Sequence, residues 1–89
     1  MAIEEVIDRA VHLKDSIVIE YCTRSGKIFT CRISDIEYSS YYGGGYILAY
    51  REDIKADRTF KIGRILKVNG HAFRHVFWRQ IGDDFKRIY

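Results

Sequence analysis

The chain has 89 residues, 47% of them hydrophobic and 30% charged, with 15 lysines and arginines against 12 acids. That composition supports one core and one domain spanning 1–89, and it excludes a disordered tail. A formal net charge of +3 permits an anionic partner without requiring one. The opening residues, Met1 to Glu5, carry glutamates where a secretory leader carries lysine or arginine, and no apolar run approaches the ~20 residues of a membrane span. A cytoplasmic protein with no membrane association is expected, and Cys22 and Cys31 are then reduced thiols placed in strands.

Ile3, Val6, Ile7, Ala10 and Val11 recur at helical spacing, with Glu4, Glu5 and Asp8 on other faces and early in the segment, where the helix dipole favours negative charge. This predicts an N-terminal amphipathic helix over about 3–13. From Ser16 the pattern turns to "SIVIEYC", then "RSGK", then "IFTCRISDI", in which Phe29, Cys31 and Ile33 alternate with polar neighbours. Two strands joined by a tight turn at Ser25-Gly26 follow from it.

The stretch "YYGGGYILAY" sets consecutive glycines among tyrosines: the glycines read as a turn, and "YILAYR" as a strand with Tyr46, Leu48 and Tyr50 on one face and Ile47 and Ala49 on the other. "EDIKAD" is a second polar connection. The run "RTFKIGRILKV" carries two readings. Arg58, Lys61, Arg64 and Lys67 would form one basic stripe on a helix, but Gly63 and the β-branched residues around it favour a strand to about Val68, with Gly63 as a bulge or bend. Asn69-Gly70 marks a turn, after which Phe73, Val76, Phe77, Ile81 and Phe85 resume a helical period over about 71–87. The expected fold is mainly β (α+β), a strongly bent antiparallel barrel over about 16–69 flanked by an N-terminal and a C-terminal helix; curling of this kind removes exposed sheet edges.

Catalytic signals are weak. Glu20, Asp35 and Glu37 lack partners at a spacing that specifies hydrolase or nuclease chemistry, no serine sits in a nucleophile elbow, and the glycines match no nucleotide fingerprint. Cys22, Cys31, His71 and His75 could be combined into a zinc set on paper, but the cysteines fall on successive strands where thiols pack as small hydrophobes. No enzyme, cofactor or metal is expected. Arg32, Tyr46, Tyr50, Arg58, Lys61 and Arg64 form a more informative set, because guanidinium forks grip phosphate oxygens and tyrosine rings stack on bases. The same residues could equally line a solvated face and the margin of a small core.

At these positions the chain resembles the WYL domain, a bacterial family. The matching parts in order are "AVHLKDSIVIEY", "GKIFTCRISDI", "GGGYILAYRE" and "DRTFKIGRILKV", over residues 10–68, the most specific being Arg58, Phe60, Arg64 and Ile65 in their spacing. Gly45 stands where the naming tryptophan does, and Asp35 where a proline is common. The resemblance implies an SH3-like barrel of Sm-like character, and it favours strand over helix for the basic run. It implies a ligand-sensing module for nucleotides or single-stranded nucleic acid, one that accompanies DNA-binding winged helices in transcription regulators, helicases and phage-defence proteins. Carried over by position, Tyr21, Arg32, Tyr46, Arg58 and Arg64 are the ligand-binding candidates, with Phe60 and Ile65 in the core. Too few residues precede Ser16 for a winged helix, so a sensor acting through a partner, or a piece of a longer chain, is expected. A rival expectation is an interaction or homodimerisation domain in which Phe77, Trp78 and Tyr89 of the C-terminal helix dock another chain.

Overall fold

The computed structural model describes residues 2–40 and 44–75. One helix, α1 (Ile3–Leu13), precedes strands β1 (Ile17–Cys22), β2 (Ile28–Ser39), β3 (Tyr46–Arg51) and β4 (Ala56–Lys61), a single turn of 3-10 helix (Ile62–Arg64), and β5 (Ile65–Val68). The Glu5 carboxylate accepts the Ala2 backbone N–H at 3.2 Å at the start of α1. Lys14, in the left-handed region at φ 55°, ends the helix. α1 buries Ile3, Ile7 and Ala10 and lies against β2 and β5. The Tyr38 hydroxyl donates to Asp8 at 2.6 Å and clips the helix to β2. Burial and that bond push the Tyr38 phenol far above its ordinary value.

The strands form one antiparallel sheet in the order β4-β3-β2-β1-β5. Its core is rich in isoleucine: Ile3, Ile7, Ile19, Ile33, Ile47, Ile65 and Val68 are fully buried. The expected alternation holds, with Ile47 and Ala49 inside and Tyr46, Leu48 and Tyr50 half-exposed on the other face of β3. The two edge strands, β4 and β5, are joined by only the three residues Ile62–Arg64. In a flat sheet of five strands the edges lie about 19 Å apart, whereas three residues of 3-10 helix rise only about 6 Å. The sheet must therefore curl until its edges approach. It is not closed: no ladder joins β4 to β5, so the expected barrel is met as a bent, open sheet.

The bend is written into β2. Its pairing with β3 shifts between Ser34 and Glu37, where Asp35 takes φ 49°. Proline, fixed near φ −65°, could not stand there.

Two expectations need correction. The basic run bends at Gly63 as expected, but more sharply than a bulge within one strand to Val68 would. It breaks at the 3-10 turn containing Gly63, which sends β4 and β5 to opposite edges of the sheet. Nor does a helix begin at His71. Val68 and His71 exchange backbone hydrogen bonds at 3.0 and 2.9 Å across the Asn69-Gly70 turn, and the Arg74 carbonyl accepts the Ile3 N–H at 2.8 Å. The rest of the expected helix, with Phe77, Trp78 and Tyr89, lies outside the described residues, as do Tyr41, Tyr42 and Gly43. Among the described residues, no helix is long and apolar enough to cross a membrane.

Candidate anion-binding recess

The curl brings the start of β3, the end of β4, the 3-10 turn and the β1–β2 turn around a recess of about 540 Å³, lined by Tyr21, Thr23, Arg24, Tyr46, Thr59, Lys61 and Arg64. Tyr21 forms its base. Near the end of β1 it points toward the core and is 9% exposed; its ring meets Phe60 edge-on at 5.1 Å and Phe29 at 5.7 Å. Its hydroxyl accepts the Lys61 backbone N–H at 2.9 Å, which ties the last residue of β4 to β1 across the open side of the sheet. Burial pushes the Tyr21 phenol above its ordinary value, against the opposing pulls of that N–H and of the Arg64 charge. Tyr21 is thus a neutral hydroxyl at physiological pH, with its own proton left to donate.

Tyr46 and Lys61 are direct partners in the β3–β4 ladder, and Thr59 follows on the same face of β4. The Gly45 carbonyl accepts the Ile62 N–H at 2.9 Å and pins the 3-10 turn that carries Arg64. Gly45 itself has φ 79°, so a tryptophan in its place would be strained. On the other side, the Thr23 carbonyl accepts the Gly26 N–H at 2.9 Å, and Thr23 Oγ1 accepts the Lys27 N–H at 3.0 Å. Gly26, at φ 92°, closes this turn, which presents Arg24.

Among the described residues the lining holds three cationic side chains, Arg24, Lys61 and Arg64, and no carboxylate or histidine. Among the described residues, no ion pair involves Arg24 or Arg64.

Of the five ligand candidates, the recess gathers Tyr21, Tyr46 and Arg64. It does not gather Arg32 or Arg58, so the expected convergence of three arginines on one hollow is not met. Arg32, opposite Val18 on β2, reaches the Ser16 hydroxyl at 3.3 Å. Arg58, opposite Ala49 on β4, donates to the Asp57 carbonyl at 2.8 Å. Alternation explains the split, since Arg58 shares its side of β4 with Phe60 while Thr59 and Lys61 take the other. Phe60 and Ile65 are buried, at 2% and 0% exposure.

One contributor escaped the sequence, and so did the placement of a second. Arg24 looked like an ordinary turn residue beside Gly26, and nothing local marks it. Lys61 was in the basic set, but its place beside Tyr46 follows only from folding the β3–β4 hairpin about Asp53-Ile54.

The other polar candidates are engaged elsewhere. Glu20 pairs with Lys67 at 3.4 Å, and Asp35 and Glu37 are exposed around the β2 bulge. Cys22 and Cys31 are free thiols, with Cys31 buried and its pKa pushed up by that burial. His75 Nε2 donates to the Ile65 carbonyl at 2.6 Å, and its Nδ1 lies 3.4 Å from Glu4. No family model matches the chain, and no curated protein matches it.

Proposed function

We propose that this chain is a non-enzymatic ligand-sensing module, similar to WYL domains, that binds a nucleotide or a short single-stranded nucleic acid in the recess. The observation carrying this is the grouping of Arg24, Lys61 and Arg64 beside two tyrosines, with no carboxylate in the lining among the described residues. Guanidinium forks and an ammonium neutralise phosphate. The Tyr46 ring, half-exposed at the start of β3, offers a stacking surface for a base. The bent sheet with nearly meeting edges supports an SH3-like or Sm-like barrel as the finer description of the fold. On this proposal the module is cytoplasmic and reports ligand occupancy to a DNA-binding or helicase partner.

A labelled single-stranded oligonucleotide titrated at two salt concentrations tests it. With three phosphate contacts, log K should fall with log salt at a slope of about −2, and Arg64→Ala should weaken binding and flatten the slope by about 0.7. Tyr46→Ala should cost about 1–3 kcal/mol of binding. Absence of saturable binding at either salt overturns the proposal.

A further inference from the structure

Resting on that reading, we infer that the recess takes the terminal phosphate of a nucleotide in preference to an internal phosphodiester. Arg24, Lys61 and Arg64 border one partly open recess of about 540 Å³, a volume within the range of small-ligand sites. An internal phosphodiester brings one negative charge and two non-bridging oxygens into such a space, half of what Arg24 and Arg64, which make no ion pair among the described residues, would answer. A terminal phosphomonoester brings nearly two charges above its second pKa of about 6 and a third acceptor oxygen.

The donors suit the richer acceptor. Two guanidinium groups and an ammonium are joined by the Tyr21 hydroxyl, whose acceptor side is occupied by the Lys61 N–H and whose proton is therefore available. Thr59, exposed on β4, adds a second hydroxyl. The segments bearing these groups are held by bonds independent of any ligand: Gly45 to Ile62, Tyr21 to Lys61, and the Thr23–Lys27 turn. A recess set in advance loses little to ordering when the phosphate enters.

The mononucleotide and the phosphorylated strand end share this chemistry, and the test separates them. The 89-residue chain is titrated with adenosine 5′-monophosphate, with a short single strand bearing a 5′-phosphate, and with the same strand bearing 5′- and 3′-hydroxyls. The expected result is at least about tenfold tighter binding of the phosphorylated strand than of its hydroxyl counterpart, with the mononucleotide showing whether the strand contributes. Binding of the phosphorylated forms should strengthen from pH 5 to pH 7 as the ligand's second proton leaves. Among the described residues the lining has no histidine or carboxylate to titrate there: its ionisable groups are Tyr21, Arg24, Tyr46, Lys61 and Arg64.

Arg64→Ala should erase the preference, and a thermal melt of the same variant shows whether it is folded; Arg64→Lys, which keeps the charge without the fork, should restore part of it. Equal binding of both strands overturns the inference while leaving the nucleotide-binding reading intact. Failure of all three ligands to bind overturns both.

Discussion

Two arginines flank the same aromatic cluster and meet opposite circumstances. Arg51 lies 4.1 Å over the Phe29 ring, and Asp53 grips it through two hydrogen bonds of 2.7 and 2.9 Å. Arg64 acts on Tyr21, which packs against that same Phe29, yet among the described residues no acid lines the recess it shares. The first guanidinium has its counter-charge supplied by the chain two residues away; the second shares its space with two more cations. A basic residue near an aromatic ring is thus no sign of a ligand site until its own acids have been counted.

Giving the recess an internal acid should make it resemble the Arg51 end. Thr59→Asp sets a carboxylate on the face shared with Lys61, and nucleotide affinity should fall about tenfold or more, as titration would show. By contrast, Arg58→Ala removes a cation outside the recess and should change affinity less than about twofold; a larger loss would move the site toward Arg58.

Tyr21→Phe removes the acceptor of the Lys61 N–H and should cost about 1–3 kcal/mol of stability in a denaturant melt. Gly45→Ala forces a side chain into φ 79° and should cost about 1 kcal/mol, loosening the contact that holds the 3-10 turn.

The smallest effect belongs to Asp53→Asn, which breaks a partly exposed pair and should leave recess affinity unchanged. Its pH signature has a definite sign. Arg51 holds the Asp53 carboxyl below its ordinary range, so the pair's contribution is present above the unfolded carboxylate pKa. It is lost as pH falls through the lower folded value. An acid melt comparing wild type with Asp53→Asn should converge at low pH.

Much of the fold was legible because period reports burial. The 3.6 spacing of Ile3, Ile7 and Ala10 marked α1, and the alternation of Cys31 with Arg32 and of Ile47 with Leu48 marked the inner faces of β2 and β3. The Asn69-Gly70 turn was equally plain. What stayed hidden depends on single backbone angles and on pairings between distant segments. Asp35 adopts φ 49° with no glycine to advertise it, and Gly63 announces a bend in the basic run but not a 3-10 turn that parts it into strands at opposite edges of the sheet. The site was legible in part for the same reason. Tyr46 and Arg64 could be picked by residue chemistry, but assigning Arg58 to one side and Lys61 to the other required the register of β4 against β3. Arg24 enters only because the curl carries the β1–β2 turn toward the end of β4.

The most direct test is an amide chemical-shift map of the isotope-labelled full chain, titrated with adenosine 5′-monophosphate at low salt. Shifts concentrated at Arg24, Tyr46, Lys61 and Arg64 are the predicted result. Shifts centred on Arg32, Arg51 or Arg58, or none anywhere at saturating nucleotide, would contradict the recess as the binding site.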